Sequence, residues 1–446
     1  MNGAILLLML TVGLTDVDEP SRPNLLLVVT DDQRFDALGA AGHPFLETPT
    51  MDRLAADGIV FQNAFVTTPI CAASRASILT GRYEQTHGFT FGTPPISLAH
   101  AAASYPTLLR EAGYRTGFIG KWGMRVEKGG RAPMWDVYRP MSPHPYLKPQ
   151  PDGTTRHLTD LTADAAIEFL ESSDRSEGPF CLSVSFNAPH AEDGDPLQYI
   201  FPAACASLYE DVDVPTPPLS ASAFFEALPA FQRDSLSRVR WHWRFDDEEK
   251  RQRMTKGYWR MISGVDRALG RILDALEANG LADDTVVVFT SDNGYFLGER
   301  GFAGKWTIHE ESIRVPLIVF DPRRSAGRRE EMALNVDLAP TLLDLAGVAP
   351  PSGMEGESLV PLLRGEPSEW REDFLVEHRF DHEQIPKCEG VRGARYVYVR
   401  YYEQEPIFEE LYDLETDPRE ANNLAADPSL VGTLARMRAR CDALTR

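Results

Sequence analysis

The sequence predicts an α/β fold: a large, mostly parallel sheet flanked by helices, followed by a smaller C-terminal α+β domain carrying an antiparallel sheet. Three observations carry that prediction. Leu25-Leu26-Leu27-Val28-Val29 is an unbroken apolar run, as expected of a parallel strand covered on both faces. Strand-like runs then alternate with helical patterns, which is how a parallel sheet is wound. After Pro350-Pro351 the texture changes to short strands at Phe374–His378, Tyr396–Tyr402 and Glu410–Leu414, closed by a helix over 429–441. On this reading 1–20 is a signal segment, 21–350 the main domain and 351–446 the smaller one.

The elements follow in order. Pro49-Thr50 opens a short helix that passes Leu54 and stops at Gly58. Residues 75–80 form a helix closed by Gly81. Thr107 to Ala112 forms another, ended by Gly113 and followed by a strand near Thr116–Ile119. Residues 159–171 read as an amphipathic helix and Phe180–Phe186 as a buried strand. The longest helix runs from about Lys256 to Ala278, because Tyr258, Met261, Ile262, Val265, Leu269, Ile272, Leu273 and Leu276 recur at helical spacing before Gly280. Thr285–Thr290 is a β-branched strand, Val315–Phe320 another, and Asp337–Leu345 a helix stopped by Gly347. Segments 125–157 and 190–250 are rich in Pro, His, Trp and Tyr with weak periodicity, and are expected to be long insertions facing the site. Their Trp135, Tyr138, Tyr146, Trp241 and Trp243 could stack on sugar rings or fill the core.

Composition narrows the function. With 45 Lys and Arg against 66 Asp and Glu, the formal charge is −21, which argues against a nucleic-acid partner or a basic membrane-surface helix. A small anionic substrate stays possible, since a few local cations serve one site. No run past the N-terminus approaches the ~18 apolar residues of a membrane span. The apolar stretch from Ala4 to Leu14 has the length of a signal-peptide core, so an exported, periplasmic or extracellular protein is expected. The five cysteines, Cys71, Cys181, Cys205, Cys388 and Cys441, show no metal-knuckle or CxxC spacing.

Two strands end alike. The first runs into Asp31-Asp32 and the one at 285–290 into Asp292-Asn293-Gly294. Ligands of open parallel sheets bind at the carboxyl ends of strands. If these strands are neighbours, three carboxylates and an amide oxygen converge, and an all-oxygen set favours a hard ion, Ca²⁺ or Mg²⁺. Either pair alone reads equally well as turn caps. Cys71 sits just before the helix at 75–80, where free N–H groups suit an anion or a nucleophile. It is read as either a low-pKa thiolate or a buried structural cysteine.

Cys71-x-Ala73-Ser74-Arg75, followed by Leu79-Thr80-Gly81-Arg82, resembles the signature of the type I, formylglycine-dependent sulfatases of the alkaline-phosphatase-like superfamily. Asp31-Asp32, Gly120-Lys121-Trp122, Asn187-Ala188-Pro189-His190, Asp292-Asn293-Gly294, Gly304-Lys305-Trp306, Glu311 to Pro316 and Leu411 to Pro418 stand in the family's order, so the resemblance spans about residues 23–425. It implies an alkaline-phosphatase-like fold that removes sulfate from a sulfated small molecule or glycan, a sulfated carbohydrate by default. It further implies one Ca²⁺ per chain on Asp31, Asp32, Asp292 and Asn293, and a Cys71 converted to formylglycine by a maturation enzyme. Arg75 would steady the hydrate, Lys121 and Lys305 would bind sulfate oxygens, and His190 would lie by the leaving-group oxygen. The chemistry suits these groups, since metal and lysines balance the charge of a sulfate ester and an imidazole can protonate the departing oxygen.

The chain departs from the pattern at Gly123, where many members carry a histidine after Gly-Lys-Trp that contacts the formylglycine. His144, His157 and His309 are the candidates to replace it, with no means of choosing among them. Rival readings are a phosphonate monoester or phosphodiester hydrolase on the same fold, a two-metal phosphatase, and a catalytically weak binder of sulfated glycans. The sequence leaves the oligomeric state open.

Overall fold

The structure, a computed structural model, describes residues 22–173, 178–366 and 369–445; the expected signal segment lies outside them. Eight strands form the main sheet in the order Gly327–Arg329, Ile59–Phe61, Leu317–Phe320, Thr285–Ser291, Asn24–Thr30, Phe180–Ser185, Arg115–Gly120, Val137–Pro140. The last five pair in parallel throughout. Leu317–Phe320 runs antiparallel to both of its neighbours. The sheet is therefore mostly parallel, with one reversed strand.

The period-2 alternation of the central strands divides the core into two layers. Leu25, Leu27, Val286 and Val288 face the helices Cys71–Thr80, Tyr105–Glu111 and Leu338–Leu345. Leu26, Val28, Val287 and Phe289 face Glu248–Ala278 and Leu158–Glu171. The long helix begins eight residues before the expected Lys256. Asp247 caps it by accepting from the Lys250 N–H, and Glu248 and Glu249 sit at its positive end. Its first turns carry Arg251 and Thr255 inward, so apolar periodicity could not reveal them.

The C-terminal sheet is an antiparallel meander of Asp373–His378, Cys388–Gly393, Tyr396–Tyr401 and Phe408–Asp413. One face, with Phe374, Val376, Val397 and Val399, joins the core of the main sheet. The other, with Val391, Tyr398 and Leu411, lies under the helix Val431–Leu444 through Leu434 and Cys441. The strand Cys388–Gly393 was not expected, because Cys-Glu-Gly-Val-Arg-Gly shows no clean alternation.

Two insertion aromatics turn out to be core. Trp135 packs against Phe118 and Trp122, and Tyr146 stacks on His157 with ring centroids 5.2 Å apart. Trp243 remains exposed. All five cysteines are buried and free of disulfides. No helix among the described residues is long and apolar enough to cross a membrane.

Candidate active site

Four adjacent parallel strands deliver the site. Asn24–Thr30 and Thr285–Ser291 pair in register, Thr30 opposite Ser291, so Asp31-Asp32 and Asp292-Asn293 leave the sheet side by side. On the other flank Val29 lies opposite Ser185 and Gly120 opposite Ser185, which brings in Lys121 and the Asn187–His190 loop. Gly120 is required there: at φ 103° a Cβ would sit 2.0 Å from the Ser185 carbonyl oxygen, and only glycine lets the strand turn Lys121 inward. Asp32 takes the left-handed conformation at φ 68°, held by the Tyr258 hydroxyl donating to its carbonyl at 2.7 Å.

Cys71 is the first residue of the helix Cys71–Thr80, which begins four residues before the expected start at 75 and so includes the cysteine. Its Sγ and carboxylate oxygens of Asp31 and Asp292 all lie within 4.8 Å of one another. One turn on, Arg75 donates from Nε to Asp292 at 2.7 Å, from Nη2 to Asp31 at 3.3 Å and from Nη1 to the Lys121 carbonyl at 3.0 Å and to Ser185 Oγ. Lys121 Nζ pairs with Asp31, and Lys305 Nζ pairs with Asp32 and lies 3.7 Å from Asp31. Asn293 Nδ2 donates to Asp32 at 2.6 Å. His190 places Nε2 3.8 Å from Asp32, with Nδ1 fixed on the Ala191 carbonyl at 2.6 Å. All nine residues singled out in the sequence therefore meet at one end of the sheet.

Three carboxylates face three fixed cations in this buried cluster. Burial pushes the Asp31 carboxyl up, but Lys121, His190, Lys305 and Arg75 together hold it well below the usual carboxylate range. Asp292 goes the other way, to about 6, raised by burial and by Asp31 beyond what Arg75 and the lysines restore. Burial opposes the charge on Lys121 and Lys305, yet the neighbouring carboxylates keep both above the ordinary lysine range. Burial, with Lys121 and Lys305, drives His190 well below the usual imidazole value.

Cys71 corrects an expectation. Burial, with Asp31 and Asp292, raises its thiol above the ordinary value despite Lys305 and Lys121. The low-pKa thiolate considered from the sequence is not formed, because loss of solvent outweighs the nearby cations.

The donor set fits a hard divalent cation. Asp31 Oδ1, Asp32 Oδ2 and Asn293 Oδ1 are buried acceptors without a hydrogen-bond partner, in a cluster whose other potential ligands are Asp292, the Cys71 thiol and the His190 imidazole. Buried acceptors rarely stay unsatisfied in a native fold, and carboxylate and amide oxygens are the ligands Ca²⁺ and Mg²⁺ take.

Of the three histidines considered against Gly123, one reaches this region. His157 caps the helix Leu158–Glu171 and bonds the Ile200 carbonyl at 2.9 Å. His309 is sealed beside Phe296 and Tyr412. His144 is half-buried, its ring centroid 5.9 Å from that of His190 and its Nδ1 3.8 Å from Glu192. Sequence reading missed Ser185, Tyr258, Asp193 and Arg240. Ser185 at the end of a buried strand was in principle findable; the others gain their place only through tertiary contact.

Comparison with known proteins agrees with this geometry. The sulfatase family model matches residues 23–348, and the model described as N-sulphoglucosamine sulphohydrolase, C-terminal, matches residues 298–446. An N-acetylglucosamine-6-O-sulfatase of Bacteroides thetaiotaomicron is 29% identical over 477 residues, covering 91% of this chain and 83% of the relative. A solved enzyme in complex with its substrate D-glucosamine-2-N,6-O-disulfate superimposes with a TM-score of 0.78 at 26% identity, covering 95% of this chain and 97% of that one. The phosphonate monoester hydrolase of Agrobacterium radiobacter superimposes with a TM-score of 0.76 at 26% identity, covering 95% of each chain. The chain therefore belongs to the sulfatase family, with the alkaline-phosphatase-like fold, and is a sulfuric ester hydrolase.

Proposed function

We propose that the protein removes sulfate from a sulfated carbohydrate, with Cys71 matured to formylglycine and one Ca²⁺ held by Asp31, Asp32, Asp292 and Asn293. The observation that carries this reading is the convergence of Cys71 with that oxygen set and with Arg75, Lys121, Lys305 and His190. A thiol raised above its ordinary value is a poor nucleophile as it stands, which favours a residue that works only after oxidation. Two sugar-sulfate relatives, the N-acetylglucosamine-6-O-sulfatase and the enzyme bound to a disulfated glucosamine, support a carbohydrate substrate. The apolar stretch from Ala4 to Leu14 supports export, and the break in texture after Pro351 supports division into a catalytic domain to 350 and a smaller one beyond.

Each residue has a task its contacts suit. A divalent ion held by Asp31, Asp32, Asp292 and Asn293 would neutralise charge and would make a neighbouring hydroxyl more acidic. Formylglycine at position 71 would supply, as its hydrate, an oxygen nucleophile and a second hydroxyl through which sulfate could be released. Arg75, tied down at Asp31, Asp292, Ser185 and the Lys121 carbonyl, fixes the nucleophile's surroundings. Lys121 and Lys305 stay protonated at neutral pH and take up the sulfuryl oxygens. His190, locked at Nδ1, turns Nε2 toward the leaving group. His144 supplies the second imidazole that Gly123 cannot.

A second reading, hydrolysis of a phosphonate monoester, is favoured by the structural likeness to the Agrobacterium enzyme. The two are separated by kinetics of the matured protein on an aryl sulfate, an aryl phosphate diester and an aryl phosphonate monoester. The sulfate ester is expected to give the highest kcat/KM, the mass at position 71 to be that of an aldehyde, and Cys71→Ala to abolish turnover while the fold survives. A fully active protein with an unmodified thiol refutes the mechanism; a higher kcat/KM on the phosphonate refutes the sulfate substrate.

A further inference from the structure

Asp193 lies three residues beyond His190 and draws two guanidinium groups. Arg240 donates to it from Nη2 at 2.5 Å, and Arg244 donates to its other oxygen. Arg244 is fully buried and also donates to the Tyr295 hydroxyl at 2.9 Å, so it anchors Asp193 from inside the protein. Arg240 is the surplus cation. Its side chain is 13% exposed and that of Asp193 31% exposed, so the pair borders solvent. Asp193 is the acceptor that Arg240 has among the described residues, and its Nε is buried without a partner.

The position of Arg240 ties it to the reaction. Its guanidinium lies 4.8 Å from the ring centroid of Trp306, the residue after Lys305. Trp306 is pinned in turn: its N–H donates to the Pro69 carbonyl at 3.2 Å and its ring packs on Ile70 and Ala73 around Cys71. Arg240 thus bridges the two flanks of the site, the loop carrying His190 and the loop carrying Lys305. Two guanidiniums against one carboxylate leave a net positive charge there, in a chain of net charge −21. A guanidinium fork with unfilled donors matches the paired oxygens of a carboxylate or sulfate.

We propose that Arg240, positioned by Asp193 and Trp306, forms a subsite for a second anionic substituent, sulfate or carboxylate, on the sugar unit bearing the scissile sulfate or on its neighbour. The proposal rests on the sulfatase reading and narrows its substrate to glycans carrying more than one anionic group.

The test compares wild type, Arg240→Gln and Arg240→Lys, all full-length and matured. Asp193 keeps Arg244 in each variant, so the loop stays anchored. Substrates are 4-nitrophenyl sulfate, glucosamine 6-O-sulfate, glucosamine-2-N,6-O-disulfate and a 6-O-sulfated disaccharide containing a uronic acid. Wild type is expected to favour one of the two doubly anionic sugars over the singly sulfated one by about tenfold or more in kcat/KM, the scale of a charge-assisted hydrogen bond. Which of the two is preferred tells sulfate from carboxylate. Arg240→Gln should erase the preference through KM while 4-nitrophenyl sulfate turnover stays within about twofold, and Arg240→Lys should restore part of it. Calorimetric binding of the same sugars to Cys71→Ala, with and without Arg240→Gln, reads the subsite without turnover. Equal affinity for singly and doubly anionic sugars, or a preference that survives in Arg240→Gln, overturns the inference and leaves the sulfatase reading intact. Failure of the matured wild type on every sulfate ester sinks the sulfatase reading, while binding to Cys71→Ala still decides the subsite.

Discussion

Lys305→Ala separates charge balance from catalysis. The ammonium is almost wholly buried, paired with Asp32 and 3.7 Å from Asp31. Without it three carboxylates face two cations, and a buried charge stripped of its partner costs ~3–5 kcal/mol. At ~2.1 cal/mol/K per residue the unfolding entropy of the 446-residue chain is ~0.9 kcal/mol/K, so a chain melting as one unit loses ~3–5 °C in Tm. That deficit should depend on metal. Saturating Ca²⁺ on the same carboxylates replaces the missing positive charge, and the difference from wild type should shrink below ~2 °C. The variant should also bind Ca²⁺ more tightly, since a competing cation worth up to ~4 kcal/mol at 4 Å has been removed. On the proposed function turnover should nonetheless fall ~10²–10³-fold in both conditions, because a metal on the carboxylates would not replace the donor that the proposal assigns to the sulfuryl oxygens. Scanning calorimetry of both proteins in chelator and in Ca²⁺, with Ca²⁺ titration, reads each quantity. A Tm deficit of the same size with and without Ca²⁺ would refute the shared use of Asp31 and Asp32 by lysine and metal.

Two further outcomes follow from the same geometry. At Gly123, φ is 68° and a Cβ would sit 3.2 Å from Arg75 Cδ. Gly123→Ala should cost ~1–2 kcal/mol from the left-handed backbone and, by displacing Arg75, lower kcat/KM by at least ~10-fold; unchanged kinetics would show that Arg75 does not position the reacting group. Glu84, buried beside Glu377, is pushed from 4.5 up to about 8, by burial first and Glu377 second. The folded state thus holds a proton that the unfolded chain releases above about 4.5. The associated stability is full below that value and lost as pH rises through about 8, at ~1.4 kcal/mol per unit and at most ~5 kcal/mol in all. Glu84→Gln should therefore flatten Tm against pH between 5 and 8; parallel curves for the two proteins would remove Glu84 as the cause.

The residues of the proposed metal and nucleophile positions were legible because their context is local. An apolar run ending in two carboxyl or amide residues announces a strand terminus, and Cys71 and Arg75 share one helix face at a spacing of four. Sequence could not give the register that sets Thr30 opposite Ser291, nor the fact that burial overrides the helix end at Cys71. Arg240 and Asp193 lay in a stretch without periodicity, and their meaning arises from a contact between residues 47 apart in the chain. Trp135 and Tyr146 were open between sugar stacking and core, because a stretch without periodicity does not say which way a ring points, and both rings lie in the core. The start of the long helix was hidden because its first turns bury arginine and threonine in place of leucine.

The charge arrangement explains why two lysines accompany the oxygen ligands. Asp31, Asp32 and Asp292 against Arg75, Lys121 and Lys305 give a cluster that is neutral by formal charge. A divalent ion added to it leaves two positive charges in a nearly water-free pocket, where electrostatic terms are strong. One is matched by a singly charged ester and the other by the ionised nucleophile, so charge is balanced when the bond to sulfur forms. Without the lysines the carboxylates, Arg75 and the ion would sum to zero, and the charges of the ester and of the ionised nucleophile would go unmatched. Charge balance of this kind selects monoanionic esters as a class, and a sulfate ester and a phosphonate monoester both qualify. Sulfate and phosphonate esters differ in the transferred group, so discrimination between them falls to the groups that meet its non-leaving substituents, whereas discrimination among sugars falls to the side where His190, His144, Asp193 and Arg240 stand. Substitutions on that side should change which sugar is chosen, whereas substitutions among the carboxylates and lysines should lower every activity together.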